Sequence, residues 1–181
     1  MRKFSSSFRV WHWLNAIALF GLFITVVLRE SVMHKANIGS IVQTKMAELG
    51  TIITDDQAVM IGKAVRSPMW DWHIYLGIAV AVLLLWRLAM VVKNGFGFDD
   101  NPAMQKVYLL YRAVYVLMAT MSLSGLALYY KITGEAKENV ETVHMVLGWA
   151  IFAFIALHII GVVLAEKKDQ SGLVSRMING N

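Results

Sequence analysis

Residues 143–161 read VHMVLGWAIFAFIALHIIG, an apolar run of membrane-spanning length with His144 near one end and His158 near the other. Bilayer hydrocarbon tolerates few ionisable groups, and those found inside spans are functional candidates by default. Fourteen residues separate the two imidazoles. That spacing advances a helix by about 21 Å and brings it within about 40° of four full turns. The two side chains therefore leave nearly the same face at opposite depths. One helix can thus supply one ligand to each of two stacked centres.

Around this run lie three more of the same kind. The chain has 181 residues and is 57% hydrophobic, above the roughly 45–50% of soluble domains. The excess falls in four blocks, about 8–28, 72–92, 105–130 and 141–165, each long enough to cross a hydrocarbon core of about 30 Å. These spans predict an all-α integral membrane four-helix bundle, a single domain over 1–181. The first span starts within ten residues of Met1 with no small-residue cleavage site after it, so it is expected to stay in the membrane.

The charge and cysteine content narrow the chemistry. A net charge of +5 comes from Lys and Arg scattered at span ends, which predicts membrane rather than nucleic-acid contacts. Zero cysteines exclude disulfides, thiolate zinc sites, iron–sulfur clusters and covalently attached haem. An N-in, C-in topology puts ten basic residues inside and seven outside, the sense that Lys/Arg bias favours. The one long connection, about 30–70, is then an outer loop. Within it TDDQ at 54–57 reads as a capping box opening a short amphipathic helix to about Arg66. KANIGSIVQTKMAELG before it is weakly helical, and Ser67-Pro68 suits the N-cap and first position of span two.

Four of the five histidines lie in spans. His12 and His158 fall at the inner depth, His73 and His144 at the outer depth, while His34 lies in the outer loop. Zinc or iron sites made of side chains alone normally need three or four close ligands, whereas each layer here offers two. A flat macrocycle with one axial imidazole on each face fits two, which predicts two bis-histidine b haems. Each ligand is followed on its own face by a small residue: Ala16, Gly77, Gly148 and Gly161. Small residues there admit a porphyrin edge, or else close helix packing. Arg87 and Arg112 stand at the inner depth, where they neutralise propionates or orient a quinone carbonyl, or snorkel to headgroups. The aromatic residues Trp11, Trp13, Trp70, Trp72, Tyr75, Tyr129 and Tyr130 sit at span ends, as interfacial belts do, and Trp70 is placed to line the outer haem.

FRVWHWLNA around His12, WHIYLGIAVAVLLLWRL around His73 and the H-x13-H of the last span resemble bacterial di-haem b-type cytochromes. These are the bacterial cytochrome b561, nickel–iron hydrogenase b-subunit and formate dehydrogenase gamma-subunit group. The resemblance covers nearly the whole chain outside the 30–70 loop. It implies an inner haem on His12 and His158 and an outer haem on His73 and His144. It further implies electron transfer, in a bacterial inner membrane, between a periplasmic oxidoreductase or c-type cytochrome and the (mena)quinone pool, as an electron-transfer subunit with quinone as mobile substrate. The gamma-subunit quinone motif corresponds to NPAMQK, 101–106, where Asn101, Gln105 and Lys106 match in type but one residue is inserted and the glycine is lost. Asn101-Pro102 equally suits an ordinary helix start. Asn15 is a further quinone candidate. Some cytochrome b561 members carry a span-three histidine that this chain lacks. Two rivals stand beside this reading: a stand-alone superoxide oxidase-like quinone reductase, with Lys63, Arg66, Lys131 and Lys137 as its basic approach, and a histidine-based metal-ion transporter without haem.

Overall fold

The computed structural model describes residues 4–95, 102–168 and 172–180. Among them every regular element is helical: α1 (Ser6–Glu30), α2 (Lys35–Glu48), α3 (Asp55–Val65), α4 (Ser67–Asn94), α5 (Pro102–Tyr129), α6 (Lys137–Lys168) and α7 (Leu173–Asn179), with one 3-10 turn at Gly134–Ala136. Four of these helices, α1, α4, α5 and α6, are long and apolar enough to cross a membrane. Hydrocarbon offers no hydrogen-bond partner to a bare peptide group, so an apolar segment must satisfy its backbone internally, as a helix does. The surface confirms the solvent for which the sequence is built. Ile17, Phe20, Leu85 and Val92 are 65–88% exposed, a pattern suited to lipid and costly in water.

By their contacts the residues form two compact units, Ala18–Gly77 and the remainder, Met1–Ile17 with Ile78–Asn181. In the Ala18–Gly77 unit, α2 and α3 pack as a close hairpin. Two glycines make that approach achievable. A Cβ on Gly39 would stand 3.0 Å from the Ala58 carbonyl oxygen, and one on Gly62 would collide with the Lys35 carbonyl. The expected capping box is present: Gln57 N–H donates to Thr54 Oγ1 at 3.3 Å, and Thr54 N–H to Gln57 Oε1 at 2.9 Å. Gln43 Nε2 ties the hairpin ends by donating to the Ile53 carbonyl and Asp55 Oδ1. Span two begins one residue earlier than Ser67-Pro68 suggests. Ser67 is already helical, and Arg66 alone separates α3 from α4, within the usual spread of helix boundaries.

In the other unit, Trp11 fastens α1 to α4. Its ring is 6% exposed and its Nε1–H donates to the Leu83 carbonyl at 2.7 Å. Trp11 is therefore a core anchor rather than the interfacial belt residue its position suggested. Exposed Trp72, Tyr75, Tyr129 and Tyr130 keep the belt pattern. Helices α5 and α6 pack together, and α7 was not anticipated from sequence. Its start is capped by Glu166, whose carboxylate accepts from the Gly172 and Val174 N–H groups. Its end meets α1, where Arg9 Nη1 donates to the Ile178 carbonyl and Trp13 Nε1 to that of Met177.

Candidate cofactor site

His12 and His158 come together within one unit. One turn beyond Phe8, His12 faces His158 of α6 with ring centroids 6.3 Å apart and planes inclined at 53°. A metal bonded to one nitrogen of each ring at about 2 Å would hold two imidazole centroids about 6 Å apart. Phe154, one turn before His158, stacks on it at 5.9 Å, and Phe8 lies 6.5 Å from His12. His12 Nδ1 and Asn15 Oδ1 are buried with no hydrogen-bond partner among the described residues. Such an orphan costs about 1–3 kcal/mol, and folded chains keep few of them outside functional sites.

His73 and His144 belong to different units, and each has its own surroundings. On α4, His73 Nδ1 lies 2.8 Å from Thr25 Oγ1, and the Trp70 ring meets the imidazole edge-on at 5.2 Å. Arg29 in turn sits 5.3 Å over Trp70. On α6, His144 Nδ1 lies 2.9 Å from Ser124 Oγ of α5. The next residue, Gly125, leaves room for the imidazole: a Cβ added there would stand 2.9 Å from His144 Cε1. Thr25, Ser124 and Gly125 were not singled out from sequence, because Ser, Thr and Gly are ordinary packing residues of membrane helices.

The glycines that follow the histidines divide into two kinds. A Cβ on Gly77 or Gly161 would meet nothing within 4 Å, leaving room for the edge of a flat group. Gly148 is buried, with the Met121 methyl 3.3 Å from such a Cβ, so helix packing accounts for it.

Arg87 is caged. Its guanidinium carbon lies 5.0, 5.6 and 5.5 Å from the ring centroids of Phe8, Trp11 and Tyr115, and its Nε–H donates to Tyr115 Oη at 2.9 Å. Its side chain is thus held between α1 and α5 by ring faces and one hydroxyl. Arg112 is part-buried on α5, Gln105 is exposed there, and His34 sits at the N-terminal boundary of α2. Asn101 and the side chain of Lys106 lie outside the described residues. Of the cations suggested for a superoxide approach, Lys137 pairs with Glu141 at 3.6 Å.

Among the described residues, no three His, Cys, Asp or Glu side chains gather as a metal ion bound by side chains alone would require. What the described residues do offer is the close pair of His12 and His158 within one unit, with open space at Gly161 beyond His158 and, in the other unit, at Gly77 beyond His73. No curated protein and no solved structure matches the chain. A model of the prokaryotic cytochrome b561 family matches residues 3–180, a family whose members are membrane cytochromes that carry electrons on b-type haem. Four apolar membrane-length helices, histidines placed within them and a family match over nearly the whole length lead to one conclusion: this chain belongs to the prokaryotic cytochrome b561 family.

Proposed function

We propose that the chain is a di-haem electron-transfer cytochrome that links a periplasmic redox partner to the quinone pool of a bacterial inner membrane. His12 and His158 would hold one haem near the inner face, and His73 and His144 the other near the outer face. The carrying observation is the 6.3 Å separation of the His12 and His158 rings, which suits one iron between two imidazoles. When bound, haem supplies one-electron transfer at its iron.

The protein's own residues place and isolate those irons. The fourteen-residue spacing of His144 and His158 sets a rise of about 21 Å along α6. Phe8 and Phe154 flank the inner imidazoles with apolar rings. Arg87, held by three rings and Tyr115, is the fixed cation we assign to a propionate or to a quinone carbonyl at the inner side. Asn15 presents a buried carbonyl oxygen without a hydrogen-bond partner among the described residues one turn after His12, and we keep it as a quinone-side contact beside Gln105. The 30–70 segment, with its α2–α3 hairpin, is the surface we assign to the periplasmic partner.

Purified protein should show the reduced bands of b-type haem at a haem-to-protein ratio near two. His12→Ala and His158→Ala should each lose the same haem, and His73→Ala and His144→Ala the other. Folded protein devoid of haem bands would overturn the proposal. Rapid superoxide-driven quinone reduction by the isolated chain would replace it with the oxidase reading.

A further inference from the structure

Three buried polar side chains stand out in the described core: Asn15, Thr25 and Ser124. Two of them are bonded to histidines, and their hydrogens can be assigned from the heavy atoms. Thr25 Oγ1 lies 2.6 Å from the Leu22 carbonyl oxygen and 2.8 Å from His73 Nδ1. Two oxygens at 2.6 Å need a hydrogen between them, and only the hydroxyl has one. The hydroxyl therefore donates to Leu22 and accepts from His73 Nδ1–H. Ser124 repeats the arrangement, donating to the Met121 carbonyl at 2.9 Å and accepting from His144 Nδ1–H at 2.9 Å. Back-bonding of this kind is common in helices, and Ser31, Thr44, Thr120 and Thr142 make it at exposed positions.

Both histidines are thereby fixed as the Nδ1–H tautomer, with Nε2 as the electron-pair nitrogen. An imidazole that donates its other N–H is a more basic ligand, and a hydroxyl that is itself donating accepts more strongly. His12 differs, since its Nδ1 has no hydrogen-bond partner among the described residues.

We propose that Thr25 and Ser124 are positioning residues, each fixing the ring of its own histidine, His73 or His144, as a haem ligand, and that ligands so held keep the reduction equilibrium of the outer haem below that of the inner one. The inference rests on the di-haem reading above. More basic axial ligands favour the ferric state, so one electron shared between the two sites resides preferentially at the His12–His158 site. Span three, which has no histidine, contributes to the outer site through this hydroxyl.

The test is a potentiometric titration of the haem absorbance in the purified full-length protein, with low-spin ferric electron paramagnetic resonance spectra alongside. Thr25→Val should move the lower of the two midpoints upward, by about tenfold in the reduction equilibrium of that haem, or about 60 mV for a one-electron couple. Ser124→Ala should act in the same direction. Thr25→Ser and Ser124→Thr keep the hydroxyl and should keep both midpoints. Haem loss from Thr25→Val that Thr25→Ser prevents would also support the role. Unmoved midpoints, equal movement of both, or the same change in the hydroxyl-retaining variants would overturn it. A wild-type protein with fewer than two haems would instead defeat the di-haem reading, before any variant is compared.

Discussion

At the scale of single residues, His144 shows how little freedom a packed imidazole retains. Ser124 holds one nitrogen and Gly125 admits the ring edge, so adjacent residues of one helix set both its rotation and its depth. Gly125→Ala puts a methyl group 2.9 Å from Cε1, and the imidazole must swing away. On the proposed di-haem reading, the haem-to-protein ratio should fall from about two toward one while the haem assigned to His12 and His158 keeps its spectrum, which a pyridine haemochrome assay and spectra would check. Arg87 is the second residue with an exact setting. Arg87→Leu abandons three ring contacts and the bond to Tyr115. Cation–π contacts are worth about 0.5–2 kcal/mol, so the variant should lose stability of that order, read as a lower unfolding temperature in detergent. The four candidate histidines stood out in the sequence because an ionisable group in an apolar run is conspicuous and the helical rise fixes its depth. Thr25, Ser124 and Gly125 were not, since their meaning depends on which face of one helix meets a ring on another. Periodicity does not carry that information.

At the scale of elements, the four spans were legible for a physical reason: a hydrocarbon slab sets one length and one composition for everything that crosses it. The α3 start was legible too, because a capping box is a local contract between Thr54 and Gln57. Thr54→Ala should cost about 1 kcal/mol, read as a fall in the thermal midpoint of the protein. A larger loss should follow Gly62→Val, which drives a branched side chain into the Lys35 carbonyl and parts α2 from α3. Limited proteolysis should then cut between residues 48 and 55 faster than in the parent. Helix α7 escaped notice because it is only seven residues long. It is bounded by left-handed glycines at 172 and 180 and held by Glu166, a contact between residues that the charge pattern alone assigns to solvent.

At the scale of the whole molecule, the surface is apolar where the spans are and polar at their ends, which makes the bilayer part of the folded structure. The N-in, C-in topology proposed from the charge bias has a clean test, since the chain has no cysteine to confuse it. Thr51→Cys should react with a membrane-impermeant maleimide in intact cells, and Asn179→Cys only after the membrane is opened. The reverse pattern would invert the assignment of inner and outer haems. The junction between α3 and α4 bears on the same question. With Arg66 as the single residue between the two helices, the α2–α3 hairpin is joined to span two by a coupling rather than a tether. His73 follows Arg66 by seven residues, about 10 Å of helical rise. A protein that docks on the hairpin would therefore inherit a fixed standoff from that histidine, set by covalent geometry and not by where a loose loop happens to be.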